Sequence, residues 1–187
     1  MKFTTRCFGI IFDEVSEKFR DKYRISTSRL PNWDYSDSGY YFITICSKDK
    51  EDFFGNILNN KMHLSKIGEI TNKCWLEIPN HFPFVELDKF VVMPNHIHGI
   101  IIIHDALRRD GACPVSTKSN TLGNIIGSFK SVVTKYTNKQ KILFKWQSRY
   151  YDHIIRNEKE FYRIKQYIKD NPMNWETDRN NLEDLLI

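Results

Sequence analysis

The segment Phe90–Ile103, FVVMPNHIHGIIII, is the most apolar run of the chain and the strongest constraint on its fold. It is shorter than the roughly 20 apolar residues that cross a bilayer, and Pro94, Asn95 and two histidines interrupt it. Residues with high β propensity lie on both sides of Pro94-Asn95, a pair that favours a turn. We therefore predict that Val85–Met93 and His96–Ile103 form an antiparallel hairpin at the centre of a sheet.

His96 and His98 flank one isoleucine in this hairpin. Side chains at positions i and i+2 of a strand point to the same side, so both imidazoles share one face of the sheet. Imidazole is the commonest protein ligand for transition metals, and two on a rigid strand make half of a metal site. Two ordinary histidines at a strand end, hydrogen-bonded or solvated, fit the same residues equally well. The pair alone leaves both interpretations open.

Residue patterns before this hairpin predict three further elements. They are a buried strand over Tyr40–Cys46, a hairpin of Phe53–Leu58 and Lys61–Leu64 joined by Asn59-Asn60, and a helix that Ser65 caps and that reaches Ile78. Pro79 and Pro83 are predicted to end that helix, because proline lacks the backbone N–H that a helix interior needs.

Patterns after the hairpin complete the fold prediction. They predict a loop over His104–Asn120, a helix over Leu122–Tyr136 capped by Asn120 or Thr121, a strand over Arg149–Arg156, and a helix that begins after Asn157 and is stopped by Pro172. Without the extra hairpin and the last helix, the order is β-α-β-β-α-β. This order predicts an α+β fold with a ferredoxin-like antiparallel sheet packed with helices.

Basic charge is concentrated in one third of the chain. Lys118–Lys169 holds 12 Lys and Arg against 3 Asp and Glu, a balance of +9. The balance is zero in Met1–Thr117 (15 against 15) and −4 in Asp170–Ile187 (1 against 5). Such a segment is typical of proteins that bind a polyanion, most often nucleic acid. The alternative is a basic helix face that is simply solvated.

The last predicted helix carries Tyr167 and Asn171 one turn apart. Its apolar stripe consists of Phe161, Ile164 and Ile168, and both polar residues lie on one shoulder of that stripe. A phenol and a carboxamide in this position can address one reaction centre together. A tyrosine at the core edge and a helix-ending asparagine before proline are the ordinary alternative.

Several ordered motifs resemble one known family. They are Val92-Met93-Pro94-Asn95-His96-Ile97-His98-Gly99-Ile100, Trp146-Gln147, Tyr151-Asp152-His153-Ile154-Ile155-Arg156-Asn157 and Tyr167-Ile168-Lys169-Asp170-Asn171-Pro172. The chain resembles the REP-associated tyrosine transposases, members of the single-tyrosine HUH transposase superfamily, from about Arg29 to Trp175. The resemblance implies a prokaryotic protein that acts at the nucleoid in DNA transposition and recombination.

The resemblance also implies the site. His96 and His98 correspond to the HUH pair that holds Mg²⁺ or Mn²⁺, and Asn171 corresponds to the third metal ligand. Tyr167 corresponds to the nucleophile, which cleaves single-stranded DNA beside a hairpin and forms a covalent 5′-phosphotyrosine. The family implies a monomer or a homodimer, and related dimers exchange the tyrosine helix between subunits.

Five side chains are candidates for DNA binding, all in the basic segment. They are Lys130, Lys135, Arg149, Trp146 and Arg156. Cations of this kind follow a DNA backbone, and Trp146 could stack on an unpaired base, as could Tyr150 and Tyr151. Burial of these rings in the core is the competing interpretation.

Other features bound the remaining possibilities. The four scattered cysteines form no C-x-x-C pair, which argues against a zinc ribbon or a disulfide framework, and the N-terminus lacks a signal peptide. We predict a cytoplasmic protein with an N-terminal extension over 1–28, a catalytic domain over 29–175 and an acidic tail over 176–187. A catalytically silent nucleic-acid-binding module and a phosphoesterase that activates water remain alternative functions.

Overall fold

The computed structural model describes the backbone of residues 18–19 and 22–23 and residues 34–35, 37–104 and 121–177. The chain divides into two units, Met1–Pro31 and Asn32–Ile187. Most of the predicted N-terminal extension, most of the predicted loop over His104–Asn120, and the acidic tail from residue 178 lie outside the described residues. None of the described helices is both long and apolar enough to span a bilayer.

Eight strands and four α-helices occur in the described residues, and the bounds are as follows. They are β1 (Lys18–Phe19), β2 (Lys22–Tyr23), β3 (Gly39–Cys46), β4 (Gly55–Leu58), β5 (Lys61–Leu64), α1 (Lys66–Leu76), α2 (Ile78–His81), β6 (Val85–Val92), β7 (His96–Ile103), α3 (Leu122–Lys139), β8 (Tyr151–Ile155) and α4 (Glu158–Asp170). Short 3₁₀ helices cover Lys48–Lys50 and Asn171–Thr177.

The central sheet has four strands in the order β6-β7-β3-β8, and all neighbours are antiparallel. With α1 after β3 and α3 after β7, this is the ferredoxin-like arrangement, so the predicted fold class is confirmed. The predicted position of the β6-β7 hairpin is wrong in one respect. Of the two hairpin strands, only β7 lies inside the sheet. It pairs with β6 on one side and with β3 on the other, whereas β6 pairs with β7 alone and is therefore an edge strand.

The two faces of this sheet pack against different helices. On one face, Ile97 and Ile101 of β7 belong to the main core with residues of α1 and α3. On the other face, Ile100 and Ile102 pack against Ile164 and other apolar residues of α4. Period-2 alternation along β7 therefore gives each face its own helix layer.

Gly99 allows α1 to approach β7 closely. A Cβ atom at this position would lie 2.4 Å from Cζ2 of the buried Trp75 ring. That distance is far inside van der Waals contact, so the indole occupies the space that any other residue would fill. The glycine in the apolar run is therefore explained by helix packing.

Side-chain caps set the helix starts as predicted. Ser65 accepts a hydrogen bond from the backbone N–H of Gly68, Thr121 from Asn124, and Asn157 from Glu160. Asn59 and Asn60 both have positive φ, 50° and 60°, which is the geometry of a tight turn between β4 and β5.

One predicted helix end needs correction: α1 stops at Leu76, before Pro79, whereas α4 ends at Asp170, just before Pro172, as predicted. Each proline lies in the first turn of a further short helix. Pro79 lies in the first turn of the short helix α2, and Pro172 is the second residue of the 3₁₀ helix Asn171–Thr177. The reason is the same in both places. A proline in a first helical turn lacks only an N–H that would have no intrahelical partner there.

Candidate active site

His96 and His98 lie at the start of β7 on the face that α4 covers. Both side chains are buried, and their ring centroids are 4.4 Å apart. The strand alternation that was predicted for them therefore holds. The backbone of His98 is paired on both sides, with Thr44 and Val91. His96 pairs with Cys46 on β3, and its carbonyl accepts a hydrogen bond from the backbone N–H of Met93 in the turn.

Asn95 orients the His96 ring. Its Oδ1 atom is 2.8 Å from Nδ1 of His96, and because an amide oxygen only accepts, Nδ1 carries the proton and Nε2 the lone pair. Burial lowers the pKa of His96 to about 3, with a further lowering from the nearby charge of Lys50 and a smaller opposing effect of Asn171. His96 is therefore neutral at physiological pH, which is the state that binds metals.

His98 links the strand to the tyrosine helix. Its Nδ1 atom is 2.9 Å from Oγ1 of Thr44, the residue directly opposite on β3. Its Nε2 atom is 3.2 Å from the hydroxyl oxygen of Tyr167. The ring also stacks on Phe42 at a centroid distance of 5.4 Å. One imidazole thus contacts both a strand hydroxyl and the candidate nucleophile.

Tyr167 projects from the last turn of α4 toward solvent. Its side chain is 42% exposed, and its ring packs edge-on against Phe42 at 6.1 Å between centroids. A phenol that is fixed on one side and open on the other can meet a substrate from solvent while it stays beside His98.

Polar contacts near both ends of α4 hold it against its own sheet. At its start, Glu160 accepts hydrogen bonds from the backbone N–H of Arg156 (3.0 Å) and is paired with His153 (2.8 Å). Two residues before the tyrosine, Lys165 Nζ lies 2.9 Å from the Asp88 carboxylate of β6. The tyrosine helix therefore docks within one chain.

Asn171 is one helical turn beyond Tyr167 and is 2% exposed. Its Oδ1 atom makes no hydrogen bond within the described part of the chain, although the carboxamide lies close enough to His96 to act on its pKa. A buried polar oxygen without a hydrogen bond costs about 1–3 kcal/mol. The Trp175 ring stacks over His96 just beyond it, at 6.1 Å between centroids.

These residues fit a divalent cation. No group of three His, Cys, Asp or Glu side chains suited to a metal occurs among the described residues. A cation here would instead be held by the imidazoles of His96 and His98 and by the unsatisfied Asn171 oxygen. Three protein ligands leave coordination positions for water and a phosphate oxygen, as hydrolytic and phosphoryl-transfer sites require.

The residues that were predicted to bind DNA have different environments. Lys135, Arg149 and Arg156 are exposed. The Lys130 ammonium instead donates to the carbonyl of Gln147 and lies 5.7 Å from the Trp146 ring centre, and burial lowers its pKa.

Trp146 belongs to the aromatic core. Its ring packs against Phe54, Phe129 and Phe144 at centroid distances of 4.8–5.8 Å, and its Nε1–H donates to the backbone carbonyl of Lys130. The sequence allowed either base stacking or packing in the core for Trp146, and the ring packs in the core.

The sequence interpretation missed several residues of the site: Phe42, Thr44, Asn95 and Trp175. Thr44 had a usable signal, since it is the polar residue in a strand of apolar and aromatic side chains. Asn95 immediately precedes His96 but was interpreted only as a turn residue. The contact of Trp175 depends on the path of the chain after Pro172 and has no local signal.

Comparisons with known proteins give a relative and several solved structures. No protein-family model matches the chain. An uncharacterized protein of Haemophilus influenzae is 43% identical over 163 residues, which cover 81% of this chain and 89% of that protein. A REP-associated tyrosine transposase bound to a REP hairpin is 18% identical with a TM-score of 0.57, and the match covers 80% of this chain and 74% of that chain. A putative transposase from Deinococcus radiodurans is 14% identical with a TM-score of 0.44, over 76% and 95% of the two chains.

These likenesses bear on different properties. The identity to the Haemophilus influenzae protein is high and extends over most of both chains, which is sufficient for common family membership. The likeness to the hairpin-bound transposase concerns the fold. The chain therefore belongs to the same protein family as the uncharacterized Haemophilus influenzae protein, and it has the fold of a REP-associated tyrosine transposase.

Proposed function

We propose that this protein is a metal-dependent endonuclease and strand transferase for single-stranded DNA that acts through a covalent 5′-phosphotyrosine. The observation that carries the proposal is the 3.2 Å distance between the Tyr167 hydroxyl and His98 Nε2. It joins an exposed phenol to two buried imidazoles and a buried carboxamide in one chain. A module that only binds nucleic acid has no need of this combination.

In the proposed reaction, the Tyr167 oxygen attacks the phosphorus of a phosphodiester. The new O–P bond joins the tyrosine to the phosphate on the new 5′ end of the DNA. The bond from phosphorus to the 3′ oxygen of the other fragment is cleaved. The phenol gives up its proton, and the departing 3′ oxygen takes up a proton to become a hydroxyl. Because the number of phosphoester bonds is unchanged, another 3′ hydroxyl can reverse the reaction without ATP.

The surrounding residues divide the remaining work. A free tyrosine has a pKa of about 10 and needs activation at neutral pH. With Nδ1 of His98 donating to Thr44 Oγ1, the single lone pair of the ring is on Nε2. This lone pair accepts the hydrogen bond of the Tyr167 hydroxyl and orients it while no cation is bound, and it would become the metal ligand when a cation binds, with the phenol oxygen left beside it. Phe42 supports the ring of the tyrosine from the side. These contacts fix the nucleophile before a strand arrives.

His96, His98 and Asn171 are proposed to hold Mg²⁺ or Mn²⁺. When bound, this cation polarises a non-bridging phosphate oxygen and stabilises the negative charge that develops on it. Two hydrogen bonds behind the imidazoles, donated by Nδ1 of His96 to Asn95 and by Nδ1 of His98 to Thr44, set the ring orientation, as in other metal sites.

We propose a hairpin with a single-stranded flank as the DNA substrate. The solved structure with the same fold is described as bound to a REP hairpin, and the basic balance of Lys118–Lys169 provides the charge that such a ligand requires. Lys135, Arg149 and Arg156 have exposed side chains suited to phosphate contacts. With such a substrate, the protein would act in DNA transposition in the cytoplasm of a prokaryote.

The test is a cleavage assay on end-labelled hairpin DNA with single-stranded flanks of varied sequence. With Mn²⁺, the wild type is expected to cut one flank and leave a free 3′ hydroxyl, whereas Tyr167→Phe and a wild-type reaction with EDTA should leave the DNA intact. Tyr162→Phe, the same chemical change five residues earlier on α4, should cut normally.

The assay separates the alternatives. Binding without cleavage by the wild type would support a silent nucleic-acid-binding module. Undiminished cleavage by Tyr167→Phe would support a phosphoesterase that activates water. Only cleavage that requires both the hydroxyl and the cation agrees with the proposal.

A further inference from the structure

A cavity opens at the N-terminal end of α4, the helix that carries Tyr167 near its C-terminal end. It has a volume of about 370 Å³ and lies where β8 ends and α4 begins. Its lining residues are Tyr40, Ile155, Arg156, Asn157, Glu158, Phe161 and Tyr162. The volume lies within the range of small-ligand sites. None of the proposed metal ligands and not Tyr167 belongs to it, whereas Arg156 is shared with the proposed phosphate contacts.

The aromatic rings of this cavity are both exposed and held in place. Tyr40 and Tyr162 are 45% and 60% exposed. Phe161 packs edge-on against Tyr40 at 5.5 Å and contacts Tyr162 at 5.8 Å between centroids, so it fixes the wall between the two tyrosines. Exposed aromatic faces beside a basic side chain are the pattern of sites that stack unpaired bases.

Polar groups at the mouth of the cavity suit a nucleotide. The exposed guanidinium of Arg156 can contact a phosphate, and the exposed carboxylate of Glu158 can accept hydrogen bonds from base N–H groups. The Asn157 side chain is already used, since it accepts the hydrogen bond of Glu160 N–H at the helix start. Recognition would therefore fall to Arg156 and Glu158.

The cavity is close to the reaction centre. Tyr40 and Phe42 lie two residues apart on the same face of β3, so their Cα atoms are about 7 Å apart. Phe42 contacts both His98 and Tyr167. Tyr167 lies beyond Phe42, with 6.1 Å between their ring centroids, so a few stacked nucleotides at about 3.4 Å per step cover the path from Tyr167 to the cavity. A strand with its phosphate at Tyr167 can therefore reach the cavity.

We infer that this cavity binds one unpaired base of the DNA strand, a few nucleotides from the phosphate that Tyr167 attacks. The inference rests on the proposed function, because it takes Tyr167 as the position of the scissile phosphate. The base stacks on Tyr40 and Tyr162, and Glu158 favours bases with an exocyclic amine, such as cytosine, over thymine.

Equilibrium binding of 5′-fluorescein-labelled dC10 and dT10 to the full chain in EDTA tests the inference by fluorescence anisotropy. Stacking on an aromatic ring contributes enough that Tyr162→Ala and Tyr40→Ala should each weaken dC10 binding about 5- to 100-fold. Tyr162→Phe retains the ring and should bind within twofold of wild type. Tyr136→Ala, which removes a tyrosine that is 50% exposed on α3, is the matched control and should also bind within twofold.

Base preference gives a second readout. The wild type should bind dC10 several-fold more tightly than dT10, and Glu158→Ala should remove the difference. Equal dC10 affinity of wild type, Tyr162→Ala and Tyr40→Ala would overturn the inference, and if the wild type still cleaves hairpin DNA, the proposed function stands. Absence of single-strand binding and of cleavage by the wild type would overturn both.

Discussion

Strand β7 has two faces with different roles. Ile97, Gly99, Ile101 and Ile103 form the core face, which packs under α1 and α3, whereas His96, His98, Ile100 and Ile102 form the site face under α4. The core face is apolar throughout and has a glycine where Trp75 needs room. On the site face, the first two positions are the imidazoles of His96 and His98, and only Ile100 and Ile102 are apolar. One eight-residue strand thus separates stability from chemistry by alternation alone.

The difference shows how a reactive centre can be built without weakening the core. One ring nitrogen of each imidazole on the site face is hydrogen-bonded to an immediate neighbour, Asn95 or Thr44, and the face is covered by the helix that carries Tyr167, the proposed nucleophile. The large aromatic and aliphatic cluster on the core face supplies the burial that holds β7 in place. Substitutions on the two faces should therefore have separable effects.

The largest expected effect is on the site face. His98→Ala removes a proposed metal ligand and the partner of the Tyr167 hydroxyl, so the cleavage rate should fall by at least about 10³-fold while circular dichroism retains the wild-type spectrum. Ile100→Val, on the same face, should lose about 1 kcal/mol of stability and cleave within a few-fold of wild type. A folded His98→Ala protein that cleaves within tenfold of wild type would contradict the division of roles.

The matching change on the core face should affect stability. Gly99→Ala places a Cβ atom 2.4 Å from the Trp75 ring, so the free energy of unfolding should fall by about 2–3 kcal/mol in urea denaturation. Gly127→Ala makes the same chemical change on α3 with nothing within 4 Å of the new atom. It should raise stability by about 0.5–1 kcal/mol. Equal effects of the two substitutions would show that close packing at Gly99 is not required.

The hydrogen bonds behind the imidazoles give a smaller effect on cation binding. Thr44→Val removes the Oγ1 atom that holds His98 Nδ1, and Mn²⁺ affinity measured by calorimetry should fall about 10-fold or more. Thr71→Val is the matched control, because the Thr71 hydroxyl is buried on the other side of the sheet and makes no hydrogen bond among the described residues. Mn²⁺ affinity should not change in that variant, and a similar loss in both would indicate a general effect of threonine removal.

The smallest effect concerns the start of the helix that covers the site face. The Arg156 backbone N–H and, less strongly, His153 and Arg163 lower the pKa of Glu160, against an opposing effect of burial. A lowered pKa in the folded state means that the carboxylate contributes stability above the ordinary glutamate pKa of about 4.3. This contribution is lost as the pH falls through the lower folded-state value.

Glu160→Gln should therefore cost about 1 kcal/mol at pH 7, and the difference from wild type should vanish below the folded-state pKa. Glu158→Gln removes a charge from the same helical turn without these contacts and should cost less. Thermal unfolding from pH 3 to pH 8 measures both. A Glu160→Gln difference that grows as the pH falls would have the wrong sign for this account.

Most of the fold and part of the site could be predicted from local signals. Alternating and continuous apolar runs fixed the positions of β3, β6 and β7, and Ser65 and Asn157 marked helix starts. The spacing of His96 and His98 predicted a shared face, and the one-turn spacing of Tyr167 and Asn171 predicted a shared side of α4. Each of these depends on one element and its own periodicity.

Features that depend on two elements could not be predicted in this way. Thr44 meets His98 because of the register between β3 and β7, and the edge position of β6 follows from which strand pairs with β7. Trp146 was a candidate for base stacking because the sequence does not reveal the Phe54, Phe129 and Phe144 rings around it. Pro172 correctly marked the end of α4, but the 3₁₀ helix that follows it has no clear sequence signal.

In the proposed mechanism, the site face holds a cation and α4 supplies Tyr167 as the nucleophile. Its most direct test is mass spectrometry of the denatured protein after reaction with hairpin DNA and Mn²⁺, followed by nuclease and protease digestion. We expect a nucleotide joined through phosphate to the peptide that contains Tyr167. This adduct should be absent from Tyr167→Phe and from reactions with EDTA. Strand cleavage with a phosphate on a different residue, or with no covalent adduct, would contradict it.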